Sequence, residues 1–595
     1  MKIKKLMTAA LAFFALLQPV QADDLGNGTY SNPVIYADCP DPDVIRVGDA
    51  FYMVSTTMHY SPGCTIMRSY DLVNWKVIGY AHDYLEETDK FALKNGQNDY
   101  ANGSWAANLR HDKYEGRFYL IVTCNTTQKS YIFTTTDIET GRWKRNEAEM
   151  CYDPGLLFED TGTECRKWIV YPNADLRQFM GYKRELISNG DGTVKLGEKI
   201  QIIDHGNLEN PAEGLRAEGY HGYKIGEWYY IFMIQGRGAQ RQEIVWRSKT
   251  MEPGSFEGKL VFAGNIRNAD GTDYIPFTGV AQGGIVDTPD GRWYALLFQD
   301  YGAVGRIPVL IPMTWDADGW PVIGNDGKSV DRINPMPVAG HAKESVTASD
   351  EFDNSTYRYY PSEKYADAVG GEYGWNGSNL KIEWQWNHNP DNRYWSLTER
   401  EGWLRLTTGQ MATTIRDARN TLTQRTTGPV CSTETMMDVS GMNDGDRAGL
   451  VSYQSQYGYV GVEQDGGDRA GLVSYQSQYG YVGVEQDGGK RMIVMRRATK
   501  AGDADEKIMA SVPLTQDNVW LKVDHDFTDK KDEARFFYSL DGVKWQSLGD
   551  ALHMAFDWPD FVGQRVGLFN YSTQQLGGHV DFDYFRVSDK TDKRN

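Results

Sequence analysis

The sequence predicts an all-β protein in which a five-bladed β-propeller is followed by a β-sandwich of the concanavalin or jelly-roll type. Short runs rich in Tyr, Phe, Trp, Val and Ile are bounded by Gly, Asp, Asn and Pro. Such runs are typical of strands, and sustained helical periodicity is hard to find after residue 22. One strand motif recurs five times, and a proline-rich segment separates it from a second set of alternating strands.

The first 22 residues have the pattern of a secretory signal peptide. Lysines precede an apolar run over residues 6–17, and the small residue Ala22 offers a cleavage site. The run is too short for a permanent membrane helix, and no later stretch is apolar enough to span a bilayer. We therefore expect an exported protein, periplasmic or secreted, without a membrane span.

Residues 25–335 are predicted to form the propeller. The recurring motif is a turn followed by an aromatic-rich strand, and its anchors are spaced 67, 50, 60 and 65 residues apart. The five anchors are Phe51, Phe118, Trp168, Trp228 and Trp293. Five similar multi-strand units indicate five blades, because a closed ring of small sheets protects the edges of its strands.

The strand rhythm lapses around residues 334–343, where prolines indicate a linker. Residues 349–590 then carry alternating strands, including those that begin at Trp403, Trp520 and Val580. This pattern predicts the β-sandwich.

Residues 446–467 of the second domain are repeated without a single change as residues 468–489. Functional repeats diverge, so this identity indicates a very recent duplication or an error of sequence assembly. Each copy is expected to form a hairpin, with strands near residues 449–453 and 457–463 in the first copy. The extra copy can then extend a sheet edge or loop out without changing the register elsewhere. We expect no function for it.

Composition restricts the partners. The net charge of −19 opposes contact with nucleic acid and with anionic lipid, so we expect neither. Aromatic residues make up 13% of the chain, and most are expected to serve the β-sheets, although flat rings also stack on carbohydrate faces. Six cysteines show no metal-binding spacing and are expected to be mostly buried free thiols; Cys151 and Cys165 form the one pair worth testing for a disulfide.

Three acidic residues lie in separate loops with surroundings that a surface carboxylate does not need. Asp41 occurs in Pro-Asp-Pro-Asp, Asp153 in Tyr-Asp-Pro-Gly and Glu218 in Ala-Glu-Gly-Tyr-His. Prolines beside two of them fix the direction of the backbone. Glycoside hydrolysis needs one carboxylate to activate water and one carboxylic acid to protonate the leaving oxygen, and a third acid can separate their pKa values. We predict that the three side chains converge at the mouth of the propeller.

These motifs resemble glycoside hydrolase family 43. The resemblance covers residues 32–334 and is carried by the segments at 32–49, 70–75, 152–158, 218–224, 305–306 and 315–322. The family consists of five-bladed propellers that act by inversion. The resemblance implies that Asp41 is the general base, that Glu218 is the general acid and that Asp153 tunes and orients the acid. Glu213 lies in an earlier Ala-Glu-Gly but lacks the following His-x-Tyr-Lys, so we expect it to be a decoy.

The resemblance also implies substrate contacts. Arg306 would reach the sugar hydroxyls and Trp105 would form an apolar wall, while a structural ion pair and a blade-packing role stay open for these two residues. Met58 and Gln282 occupy pocket positions where many relatives carry an aromatic residue and a His. That His often lies beside a central ion or water, and Gln is a poor metal ligand. We expect no required cofactor, and a structural Ca²⁺ ion at the propeller axis stays open.

The second domain resembles the β-sandwich of xylosidase-type members of the family, in which it helps to wall the pocket. This implies an exo-acting glycosidase that releases D-xylose from xylan or xylo-oligosaccharides by inversion. The alternative is an α-L-arabinofuranosidase, or a bifunctional enzyme, acting on arabinoxylan, because both sugars place similar atoms around the reactive carbon. A carbohydrate-binding propeller without catalysis is disfavoured, since all three acids are present.

Overall fold

The protein is described by a computed structural model over residues 24–173, 180–208, 217–356, 359–454, 463–464, 468–469, 478–498, 507–555 and 561–591. The predicted signal peptide at residues 1–22 and the decoy Glu213 lie outside these ranges. Within them the structure is built of strands, and the helices are single 3₁₀ turns: His205–Asn207, Gly238–Gln240, Gly302–Val304, Ile415–Asp417 and Thr528–Lys530. None of the helices in the described ranges has the length and apolar character needed to cross a membrane.

Five antiparallel sheets form the blades of a propeller, as the sequence predicts. In chain order, the strands of the propeller and its closing segments are β1 (Thr29–Ser31), β2 (Asp43–Val47), β3 (Ala50–Ser55), β4 (Tyr60–Ser61), β5 (Gly63–Ser69), β6 (Lys76–His82), β7 (Ser104–Asp112), β8 (Arg117–Cys124), β9 (Lys129–Thr135), β10 (Lys144–Glu149), β11 (Gly155–Asp160), β12 (Cys165–Pro172), β13 (Met180–Ser188), β14 (Val194–Leu196), β15 (Ile200–Asp204), β16 (Glu218–Ile225), β17 (Trp228–Gln235), β18 (Gln242–Ser248), β19 (Glu257–Phe262), β20 (Asn265–Arg267), β21 (Ala281–Asp287), β22 (Trp293–Asp300), β23 (Arg306–Trp315), β24 (Pro321–Ile323), β25 (Ser329–Asp331) and β26 (Ile333–Pro335).

The blades are β2-β3-β5-β6, β7 to β10, β11 to β15, β16 to β19 and β21 to β24. Their first strands line the centre of the ring, where each is adjacent to the first strand of the next blade and β21 returns to β2. Each predicted aromatic anchor lies in the second strand of a blade. The recurring motif therefore marks one structural position in five blades.

The segment that precedes β2 closes the ring through hydrogen bonds to the last blade. The side-chain amide of Asn32 donates to the carbonyl of Leu310 at 2.8 Å and accepts from its amide at 2.9 Å. The backbone amides of Val34 and Cys39 then donate to the carbonyls of Pro308 and Arg306. The first part of the described chain is thus bonded to β23 of the last blade.

Two large sheets form the second domain, which confirms the predicted β-sandwich. Its strands are β27 (Gln385–Asn387), β28 (Trp395–Ser396), β29 (Leu404–Thr407), β30 (Leu422–Arg425), β31 (Val430–Asp438), β32 (Asp446–Gln454), β33 (Glu463–Gln464), β34 (Asp468–Arg469), β35 (Gln478–Asp487), β36 (Lys490–Ala498), β37 (Lys507–Leu514), β38 (Asn518–Asp526), β39 (Glu533–Ser539), β40 (Gln546–Ser547), β41 (Leu552–His553), β42 (Arg565–Ser572) and β43 (His579–Ser588). One sheet has the order β37-β36-β35-β32-β42-β30-β27-β4 and the other β28-β29-β43-β31-β38-β39-β40.

The two domains share a sheet, because β4 of the propeller pairs with β27 of the sandwich. The segment predicted as a linker lies along the propeller: the amide of Met336 donates to the carbonyl of Gly28 at 3.0 Å, and Arg292 donates to the carbonyl of Pro337 at 2.5 Å. Asp350 exchanges two backbone hydrogen bonds with Phe585 at 2.7 Å and so fixes the start of the sandwich. These bonds hold the connection against both domains.

All six cysteines are free thiols, and five of them are buried. Cys151 and Cys165 are not joined, and burial raises the pKa of each thiol to about 12. The expectation of mostly buried free thiols agrees with this arrangement.

The duplicated segment contributes one strand from each copy to the sandwich. β32 belongs to the first copy and pairs with β35 of the second copy, with Gly449 opposite Gly483 and Tyr453 opposite Tyr479. Residue 483 is the counterpart of residue 461, and residue 479 is the counterpart of residue 457. The pairing is therefore the one that the hairpin of a single copy would make.

Deletion of residues 455–476 should leave both stability and activity unchanged, because Gln454, Ser477 and Gln478 then form the three-residue turn between Tyr453 and Tyr479 that residues 454–456 would form in a single copy. Only the terminal pair of Gln454 with Gln478 is lost from the sheet, and the shorter connection reduces the entropic cost of loop closure. Thermal unfolding and activity of the deletion variant test this, with Val482→Ala in the core of β35 as a destabilised control. A loss of stability as large as that of the control would contradict it.

Candidate active site

Every inner strand of the propeller bends at the same end through a residue with positive φ. These residues are Asp41 (50°), Ala106 (48°), Asp153 (39°), Gly219 (62°) and Gln282 (63°). The register of β7, β16 and β21 shifts at the bend, as in a β-bulge. Bulges re-aim side chains, and strained backbone of this kind clusters at functional sites. The five bends surround one end of the propeller axis.

A cavity of about 180 Å³ opens at this end. It is lined by Asp41, Trp105, Asn125, Tyr152, Asp153, Glu218, Ile234, Gly236, Arg237, Arg241, Gln282, Arg306 and Phe561. Three acids predicted from separate loops thus meet in one pocket, and Trp105, Gln282 and Arg306 join them. Met58 does not line the cavity: it is buried behind Trp105 and Phe561, so its contact with a substrate would be indirect.

Both oxygens of the Asp41 carboxylate have partners. Arg306 Nη1 donates to Oδ1 at 2.7 Å, and Thr56 Oγ1 donates to Oδ2 at 2.7 Å. The Thr56 hydroxyl in turn accepts from the amide of Ala106 at 2.8 Å. Since Asp41 is 4% exposed, these two bonds fix the direction of its carboxylate in the pocket.

Arg306 combines the two roles that the sequence left open, because it lines the pocket and forms an ion pair. Its Nε lies 3.4 Å from Asp300 Oδ1, and Arg241 Nη1 lies 2.8 Å from the other oxygen of the same carboxylate. Its guanidinium also lies 5.0 Å from the ring centre of Phe561. Asp300 therefore holds two pocket arginines from outside the cavity.

Asp153 and Glu218 form a coupled acidic pair. The backbone amide of Gly219, the residue after Glu218, lowers the pKa of Asp153 by favouring its ionised form. Burial raises the pKa of Asp153 well above its usual range, and the charges of Glu218 and Asp41 add to this rise. Burial also raises the pKa of Glu218, where Arg306 opposes the rise and Asp41 supports it. Like charges in one buried site are costly, so ionisation of both carboxyl groups at once is disfavoured.

Beyond the pocket, Asp43 of β2 occupies the centre of the propeller, where it contacts residues of β7 and β16. Its Oδ2 accepts from Arg110 Nη1 at 2.8 Å and from the amide of Leu109 at 2.7 Å, and its Oδ1 lies 2.8 Å from His221 Nδ1. A Ca²⁺ ion needs six to eight oxygen ligands, but the described residues contain no cluster of three acidic, His or Cys side chains suited to a metal. Gln282 packs against Gly219 instead.

Sequence reasoning missed Phe561, which the sandwich contributes to the pocket. Its ring lies 5.1 Å from that of Trp105, centre to centre, in an edge-on arrangement. No local pattern could have identified it, since the contact joins two domains. Tyr152 was accessible to inference as the neighbour of Asp153, whereas Arg237 and Arg241 stand in no motif that marks a pocket.

Comparison with known proteins gives two family matches. Residues 30–321 match the glycosyl hydrolases family 43. Residues 373–467 and 462–588 match the beta xylosidase C-terminal concanavalin A-like domain in two pieces. The break between the pieces falls in the duplicated segment, as expected if the family domain contains one copy.

Individual relatives cover nearly the whole chain. A beta-xylosidase of Formosa agariphila is 27% identical over 94% of this chain and 90% of its own length. The solved structure of a bifunctional GH43-CE protein of Bacteroides eggerthii is 40% identical, with a TM-score of 0.77, over 94% of this chain, which spans 64% of that protein. A solved GH43 glycoside hydrolase, engineered to display both endo-xylanase and exo-arabinofuranosidase activity, is 30% identical over 94% and 99% of the two chains, with a TM-score of 0.75.

Thr56→Val should lower kcat/KM by about 10- to 100-fold, because the change removes a hydrogen bond to a buried carboxylate and leaves the amide of Ala106 without an acceptor. Thr56→Ser keeps the hydroxyl and should retain most of the activity. Steady-state kinetics of both variants, with thermal unfolding to confirm folding, check this. Equal activity of the Val and Ser variants would show that the hydroxyl does not position Asp41.

Asp153→Asn should lower the pKa of Glu218, because it removes a like charge from the coupled pair. An acid must be protonated to act, so the alkaline limb of the pH-activity profile should shift to lower pH. The profile of kcat/KM against pH measures this shift, with Asn125→Ala as a control that changes a pocket side chain without changing charge. An unchanged alkaline limb would exclude the tuning role of Asp153.

Proposed function

The chain belongs to glycoside hydrolase family 43, and from this membership we propose that it is an exo-acting glycosidase that removes single D-xylosyl units from the ends of xylan fragments. Its partners are then neutral xylo-oligosaccharides, or arabinoxylan. The apolar run at residues 6–17 supports export, to the periplasm or beyond, where such fragments occur.

One observation carries the proposal: three carboxyl groups from three blades meet in a cavity that a side chain of the second domain helps to close. The cavity of about 180 Å³ is large enough to hold a pentose ring. Phe561 and Trp105 wall it with aromatic surface, on which a sugar ring can stack. A pocket walled in this way favours action at chain ends.

The proposed mechanism assigns one task to each acid. The carboxylate of Asp41 takes a proton from water as the water oxygen attacks the anomeric carbon. Glu218 gives its proton to the glycosidic oxygen, which leaves as an alcohol, so the bond to the anomeric carbon is replaced on the opposite face. Asp153 tunes Glu218 through the repulsion between their two charges, which raises the pKa of Asp153, and the nearby backbone amide of Gly219 favours the ionised form of Asp153. Arg306 orients Asp41 and offers N–H donors toward the sugar.

A second candidate is α-L-arabinofuranosidase activity, alone or beside the first. The relative with exo-arabinofuranosidase activity is 30% identical over nearly the whole of both chains, which favours keeping this candidate. The pocket residues suit either pentose, since the acids act at the reactive carbon and the aromatic rings stack on a face of the sugar.

Xylobiose cleavage followed by NMR should show α-xylose first, since inversion at a β-linkage yields the α-anomer. Initial rates on the nitrophenyl glycosides of β-D-xylose and α-L-arabinofuranose should favour the xyloside. Equal or faster cleavage of the arabinofuranoside would establish the second candidate, and absence of activity on both would overturn the proposed function.

The same assays test the catalytic roles proposed for the acids. Asp41→Ala and Glu218→Ala should each reduce turnover of xylobiose by at least about 10²-fold. Glu218→Ala should lose less on a dinitrophenyl xyloside, whose leaving group needs no proton, whereas Asp41→Ala should lose activity on both. Glu213→Ala is the matched control and should be close to silent. A folded Asp41→Ala or Glu218→Ala variant with near-normal activity would exclude the assigned role.

A further inference from the structure

Two arginines of the sandwich face each other in the interface with the propeller. Arg425 of β30 and Arg565 of β42 are directly opposite in the antiparallel register. Their exposed fractions are 2% and 1%. Directly opposed like charges destabilise a sheet, and a buried charge is costly unless it is paired. The arrangement therefore requires a compensating group.

Neutral groups accept hydrogen bonds from some of the N–H groups of the two guanidinium groups. Arg425 donates from Nε to the carbonyl of Asp38 at 2.8 Å and from Nη2 to Thr65 Oγ1 at 3.0 Å. Arg565 donates from Nη1 to Gln385 Oε1 at 3.0 Å, and its guanidinium lies 4.3 Å from the ring centre of Tyr60. These acceptors carry no net charge. They orient the side chains but leave both positive charges in place.

The remaining N–H groups point to a missing acceptor. Arg425 Nη1 and Arg565 Nε are buried and have no hydrogen-bond partner in the described structure. Each of the two opposed arginines thus keeps one buried guanidinium nitrogen for which the described chain supplies no acceptor.

One carboxyl group, that of Asp38, faces the pair. Its Oδ1 accepts from the amide of Arg306, and its Oδ2 is buried without a partner. Burial raises the pKa of Asp38, and the charges of both arginines oppose this rise. The other groups facing the pair bring no negative charge: Tyr60, Thr65, Tyr80, Gln385, the Cys39 thiol and His59. Burial lowers the pKa of His59 to about 3 and raises the pKa of Tyr80. Two positive charges against one carboxyl group leave an excess of at least one.

We propose that Arg425 and Arg565 bind one chloride ion between the propeller and the sandwich. A monovalent anion matches the excess charge, and a spherical ion accepts N–H donors from two directions. The ion would lie beside the backbone of Asp38, whose side chain holds the amide of Arg306, so it would stabilise the docking of the two domains next to the pocket.

Chloride should raise the thermal unfolding temperature of the full chain beyond what ionic strength does. Wild-type protein is compared in sodium chloride and in sodium gluconate at equal sodium concentration, and saturable chloride binding should add about 2 to 4 °C. Arg565→Gln should remove this increment. Arg586→Gln, which changes an exposed arginine of the same domain, should keep it. Equal unfolding temperatures of the wild type in the two salts would overturn the proposal.

Crystals of the wild type grown or soaked in sodium bromide give a second test that does not depend on a variant. An anomalous peak between Arg425 Nη1 and Arg565 Nε would support the site. A water molecule at that position, or bromide confined to the protein surface, would overturn it.

Discussion

Positive φ at the mouth end of each inner strand decides where the pocket side chains point. Four of the five residues that adopt it, Asp41, Ala106, Asp153 and Gln282, carry a side chain that disfavours this conformation by roughly 1–2 kcal/mol each. The strain persists because each bend is held between hydrogen-bonded strands and the neighbouring blade. Gly219 occupies the fifth position, where a β-carbon would collide with Gln282. The acids therefore stand on bends that the whole ring maintains.

The charged groups of the pocket are paired with partners in the pocket and with Asp300 behind it. Asp41 is engaged by Arg306, and Asp300 holds both Arg306 and Arg241 from behind. Burial and mutual repulsion disfavour two charges on the coupled pair of Asp153 and Glu218. In the proposed mechanism, one group then accepts a proton and another donates one, as an acid-base reaction at a sugar requires.

The blades and the acids could be predicted from sequence because their signals are local. An aromatic strand after a turn recurs once per blade, and prolines beside Asp41 and Asp153 mark rigid turns within a few residues. Phe561 could not be predicted, since it enters the pocket from another domain and its own neighbours in sequence carry no motif. For Met58 the sequence predicted a pocket position that the structure does not show. Met58 has a positive φ and is buried in a cluster behind Trp105, so it does not line the cavity.

The hairpin built from two identical copies has a genetic consequence. The sheet takes β32 from the first copy and β35 from the second, so only one strand of each copy is constrained by that pairing. In each copy, the half outside this pairing is not subject to the selection that acts on the paired strands. If the duplication is carried in the gene, related strains should show divergence first between residues 455 and 477, and the exact identity of the two copies indicates a recent event.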